Sequence, residues 1–139
     1  MRPVIVYRTA AGLALLGVIA HEFIGAPMVL DPLHSSGLPN NIIWLHHFSW
    51  HVGTISVLAM SGMYWYASTR PGNYAMAVVA TAISAGFALL GVSLALFGDP
   101  IVWTTPAPYV WTVVAATGAY GVFVELSSHN KKEEFVTGR

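Results

Sequence analysis

Four long apolar runs, separated by short breaks rich in Pro, Gly and Asn, constrain this chain more than any other feature. They extend from about Val4 to Ala26, Ile42 to Tyr66, Tyr74 to Phe97 and Ala107 to Leu126. A bilayer core about 30 Å thick requires roughly 20 apolar residues per helix, and each run meets that length. None alternates with period two, so strands are excluded. The breaks are Pro27 to Asn41, Arg70-Pro71-Gly72-Asn73, and Gly98-Asp99-Pro100 through Pro108. Pro fixes φ and removes a donor, so each break ends a helix. Asn40 or Asn41 fits the N-cap of the second run. Only 9% of the 139 residues are charged, against about 25% in a soluble domain. The sequence therefore predicts an all-α, four-helix transmembrane bundle formed as a single domain over residues 1–139.

The basic residues give the orientation. Arg2 and Arg8 precede the first run, Arg70 lies between the second and third, and Lys131, Lys132 and Arg139 follow the fourth. All six fall on one side of a four-span topology, which the positive-inside rule makes cytoplasmic, with both termini inside. The expected location is a bacterial cytoplasmic (inner) membrane. The first run is too long for a signal-peptide core and lacks a small-residue cleavage site, so it reads as a retained helix. Trp44, Trp50, Trp103, Tyr109 and Trp111 would form an outer aromatic belt, and Tyr7, Tyr64, Trp65, Tyr66 and Tyr74 an inner one. Gly12, Gly17, Ala82, Ser84, Gly86, Gly91, Gly118 and Gly121 are small enough for close helix contacts.

Several chemistries are excluded. The chain has no cysteine, which removes disulfides, thiolate metal sites and Fe–S clusters. It has six Lys and Arg against six Asp and Glu, so nucleic acid is not an expected partner. There is no Gly-rich phosphate loop and no nucleophile elbow. No run of intramembrane charge marks a voltage sensor or an ion-coupled transporter.

The six histidines are unevenly placed. His21, His34, His46, His47 and His51 lie on or near the outer side, as do Glu22, Asp31 and Asp99. His21 is 13 residues beyond Arg8, and His51 is 13 residues from Tyr64 in the opposite chain direction. At 1.5 Å per residue, both sit about 20 Å above the inner boundary, where antiparallel neighbours bring them to one level. His47 and His51 are four residues apart and share a helix face, the spacing with which two helical histidines bind one metal ion. The sharpest expectation is a metal site of His21, His47 and His51, with Glu22 as ligand, base or orienter. His46, His34 and Asp31 are possible additions. Imidazole nitrogen and carboxylate oxygen suit Cu or Zn, with Fe possible. A di-iron carboxylate site needs more carboxylates than Glu22.

Three alternatives remain open at this level. His21 and His51 could instead be axial ligands of a b-type haem. A lipid or quinone pocket could be walled by Trp44, Trp50, Trp103 and Trp111. Histidines near an interface also bond headgroups or loop carbonyls without further function. The partners expected are membrane lipids and either a larger membrane complex, in which this chain is an accessory subunit, or further copies of itself. Glu125, His129, Lys131, Lys132, Glu133 and Glu134 read as a solvated helix end. If the protein is an enzyme, the metal would be redox active or would activate water.

The segments His21-Glu22-Phe23-Ile24-Gly25, Asp31-Pro32-Leu33 with Leu38-Pro39, and Phe48-Ser49-Trp50-His51-Val52-Gly53-Thr54 carry a resemblance. They are similar to a group of small bacterial inner-membrane proteins with a His at the end of span one and Trp-His-x-x-Thr/Ser in span two. The resemblance covers roughly the first half of the chain. It implies four helices, singles out His21 and His51, and assigns no reaction. His46 and His47 are additional to its pattern.

Overall fold

The computed structural model describes residues 2–137, with side chains over 2–129. Its long helices are α1 (Pro3–Ala20), α3 (Asn40–Thr69), α4 (Ala75–Phe97) and α5 (Ala107–Thr137). A π-helical turn (His21–Gly25) and the short α2 (Ala26–Val29) continue α1. Two 3₁₀ turns, Asp31–Ser35 and Pro100–Thr104, occupy the longer connections. No strand occurs among the described residues. Both 3₁₀ turns begin at an Asp-Pro step, and Asp99 Oδ1 accepts from the Ile101 amide at 2.9 Å. At α3 the cap is Pro39, with no side-chain capping bond, so neither Asn40 nor Asn41 has the expected role.

The helices form a closed ring in which α1 and α4 each pack against both α3 and α5. Cross-contacts give the directions. Ala11 meets Ser61 while His21 meets Trp50, so α1 and α3 run antiparallel. Gly17 lies against Trp111 and Gly121 against Tyr7, so α1 and α5 do too. Tyr64 meets Thr81 and Met60 meets Ser84. Gly91 lies on Pro108 and Gly118 on Thr81. Arg2, Arg8 and Arg70 therefore share one end, and His21, His34, His46, His47 and His51 the other. Arg139 and the side chains of Lys131 and Lys132 lie outside the described residues.

Three stretches are long and apolar enough to cross a membrane: Pro3–Ser35, Ala75–Phe97 and Ala107–His129. Helix α3 is 30 residues long. It is diluted by His46, His47 and His51 and by its Ser, Thr, Trp and Tyr residues, and falls short of that apolarity.

Between apolar helices in lipid there is little hydrophobic drive, so association depends on close packing and interhelical hydrogen bonds. On α1, Val6, Tyr7, Ala10, Ala11 and Ala14 form the buried face, and Ala11 meets α3. Ser61 donates to the Ala11 carbonyl at 3.0 Å across that contact. Gly118 and Gly121 leave space for the rings of Tyr64 and Tyr7. Gly12 and Gly86 face open space and Ala82 is exposed, so these expected contact residues do not serve.

Tyr7 and Tyr64 are fully buried rather than part of an interfacial belt. Tyr64 hydrogen-bonds Thr81 at 3.1 Å. Tyr7 donates to Glu125 Oε2 at 2.7 Å, and the Gly72 amide donates to Glu125 Oε1 at 2.5 Å. Glu125 is thus a buried tie between α1, α5 and the α3–α4 turn, not part of a solvated helix end. Gly72 can offer its amide because it adopts φ +91°, a conformation open to glycine at no steric cost.

A methyl group at Gly118 would overlap the Tyr64 hydroxyl and Thr81 Oγ1. We expect Gly118→Ala to cost about 1–3 kcal/mol by overpacking and to lower the melting temperature in detergent micelles. Gly86→Ala should leave it unchanged. Equal melting of the two variants would refute this packing.

Candidate functional site

The π turn is where Pro27 takes effect. Pro27 has no amide hydrogen for the Phe23 carbonyl, and its ring crowds that carbonyl. The backbone widens instead, and the Ala26 amide reaches back five residues to the His21 carbonyl. Such turns are uncommon and recur at functional sites. This one carries His21 and Glu22 on consecutive positions, both against α3.

His21 stacks flat on Trp50, with ring centroids 3.9 Å apart and planes 9° from parallel. Its Nε2 lies 3.3 Å from the Trp50 carbonyl oxygen. A carbonyl can only accept, so Nε2 is the donor. Gly25 permits this arrangement, because a Cβ there would stand 3.0 Å from the Trp50 ring. Glu22 takes a different partner. The Thr54 hydroxyl donates to its Oε1, and His51 Nδ1 stands 3.4 Å from the same oxygen. The His51 side chain is 54% exposed and that of Glu22 is 26% exposed, so the pair opens at the bundle surface.

His47 lies one turn from His51, with centroids 6.5 Å apart. On its other side are His34 at 5.3 Å and Trp44 at 5.2 Å. Its Nε2 is enclosed and has no hydrogen-bond partner, as is also true of Trp50 Nε1. His46 points elsewhere, its Nδ1 donating to the Ile42 carbonyl at 2.8 Å. Asp31 is exposed on the 3₁₀ turn that bears His34.

The expected set of His21, His47 and His51 is therefore split. His21 reaches the level of His51, but the indole of Trp50 and its carbonyl hold the ring. No group of three His, Asp or Glu side chains stands ready to hold a metal ion among the described residues. What the fold assembles is a carboxylate–imidazole pair with a second imidazole one turn away. For a haem, His21 would have to release both its stacking partner and its Nε2 bond. The four tryptophans serve separate neighbours: Trp44 packs by His34 and His47, Trp50 on His21, Trp103 on Tyr109 and Trp111 on Phe87. The sequence reading missed Thr54 as a partner of Glu22, and its signal was the Trp50-x-x-x-Thr54 spacing on one helix face.

Replacing Pro27 returns the missing amide donor. We expect Pro27→Ala to relax the π turn towards regular helix and turn His21 off Trp50. Near-UV circular dichroism should lose tryptophan signal while far-UV helix content stays constant; an unaltered near-UV spectrum would count against proline as the cause. Compared with protein-family models, with curated proteins and with solved structures, the chain matches none.

Proposed function

We propose that this chain is an integral protein of a bacterial cytoplasmic membrane that binds a transition metal ion near the outer face through Glu22, His47 and His51. It crosses the bilayer four times with both termini on the cytoplasmic side. The observation that carries the metal reading is the enclosed, unpartnered Nε2 of His47 beside the His51–Glu22 pair. A buried polar atom without a partner costs about 1–3 kcal/mol, and coordination of a cation removes that cost. The exposed His51 ring is free to turn towards the ion. The Thr54 hydroxyl holds Glu22, as outer hydrogen bonds commonly hold metal-ligating carboxylates. Two imidazoles and one carboxylate suit zinc or copper, with iron the further option. His21 acts through Trp50 as a positioning residue.

Three features support the four-span reading. The 30 residues of α3 span about 45 Å, longer than the hydrocarbon core. Helix α3 is flanked by α1 and α4, which are apolar enough to cross. Large apolar side chains face outward on every long helix, including Leu16, Phe48, Ile55, Leu89 and Phe123. Lipid is the partner such sides require. Arg2, Arg8 and Arg70 lie together at the opposite end from the site, with Arg8 over the Trp65 ring and Arg70 over the Tyr66 ring.

Elemental analysis with an absorption spectrum, on protein purified in mild detergent, tests the metal. We expect one zinc or copper per chain with no Soret band. His51→Ala and Glu22→Gln should lose the metal while keeping helix content. A Soret band would replace this reading with a b-type haem, and absence of both metal and haem would sink it. Topology is separately testable because the chain has no cysteine. A membrane-impermeant maleimide should label Ser36→Cys in intact cells and Ser127→Cys only after permeabilisation. Labelling of both in intact cells would overturn the orientation.

A further inference from the structure

We propose that His34 and His47 form an entry station, which captures a divalent transition-metal cation from the aqueous side and passes it inward to His51 and Glu22. The inference rests on the metal reading above and adds a route to it. His34 sits on the exposed 3₁₀ turn Asp31–Ser35, outside the long helices. The Ser35 hydroxyl donates to the Pro32 carbonyl and the Ser36 hydroxyl to the Leu33 carbonyl, which fixes that turn. The His34 and His47 rings are 5.3 Å apart, centroid to centroid, and tilted by 48°. Two imidazoles bound to one tetrahedral zinc at about 2.1 Å have ring centroids roughly 5 Å apart. The separation of the two rings therefore matches that of a pair sharing one ion.

Beyond it the row continues. His47 to His51 is 6.5 Å, and His51 to the Glu22 carboxylate is 3.4 Å. His47 belongs to both stations, and its enclosed Nε2 has no competing partner. Trp44 lies against both His34 and His47 and closes one flank of the first station. The row also has a direction. Its outer station offers two imidazoles, whereas its inner one adds the carboxylate of Glu22, so a cation is held more strongly the further it moves in. Two ligands capture an ion transiently, and a third retains it.

The test is the rate of Zn²⁺ uptake by the full-length, metal-stripped protein in detergent micelles, followed by stopped flow with a metallochromic indicator. We expect His34→Ala to slow uptake about ten-fold, while the final amount of bound zinc per chain is unchanged. His34 is exposed on a turn, so the variant should keep its helix content, which circular dichroism verifies. Equal uptake rates would overturn the entry station and leave the inner site standing. Loss of bound zinc at equilibrium would also overturn it, by making His34 a permanent ligand. If the unaltered protein takes up no zinc, the metal reading itself fails and takes the entry station with it.

Discussion

Close approach of helix backbones is the constraint on which this fold rests. In lipid, apolar side chains gain little by leaving one apolar neighbour for another, so interhelical contact has to come from fit and from hydrogen bonds. The chain supplies fit with alanine along α1 and with Gly91, Gly118 and Gly121 at the α4 and α5 contacts. It supplies hydrogen bonds with Ser61, Tyr64 and Thr81, and with Tyr7 and Glu125. These contacts fix the vertical register of the four helices. Register at the arginine-bearing end sets register at the histidine-bearing end, because each helix is a stiff rod between them.

The site depends on that register in a direct way. His21 and Trp50 stack at 3.9 Å, and Glu22 and His51 meet at 3.4 Å, only because α1 and α3 are aligned to within a fraction of a helical turn. The π turn then carries both reaching side chains against one neighbour. Its cause is local, a proline that lacks a donor, but its effect is to divide two adjacent residues between two tasks. His21 is spent on the indole, and Glu22 is left facing an exposed imidazole.

Helix number, approximate helix bounds, the Pro-containing breaks and the grouping of Arg2, Arg8 and Arg70 at one end were all legible, since each follows from chain-local rules of length, donor loss and charge. The common level of His21 and His51 was also legible, because rise per residue is constant along a helix. Their partners were not. Which face of α1 meets which face of α3 depends on packing such as that of Ala11 on Ser61, and no local rule reads that. Tyr7 and Tyr64 look interfacial by position, yet each is buried and finds a polar partner on another helix that only the closed ring provides. Glu125 was obscured by its charged neighbours in sequence, which share its composition and not its surroundings. Trp44, Trp50, Trp103 and Trp111 all lie in the histidine-bearing half of the bundle, and that placement carries no information about which way each ring turns.

The tie between Tyr7 and Glu125 joins residues 118 positions apart in the chain. Proteins are made from the N-terminus onward, so Tyr7 is synthesised well before its acceptor exists. The Gly72 amide waits for the same carboxylate. Helices α1, α3 and α4 are therefore made before α5 supplies the oxygen atoms that lock α1 and the α3–α4 turn together. A chain truncated before α5 would leave a tyrosine hydroxyl and a turn amide without their acceptor. Glu125 thereby makes the placement of α1 and of the α3–α4 turn depend on a helix synthesised after both.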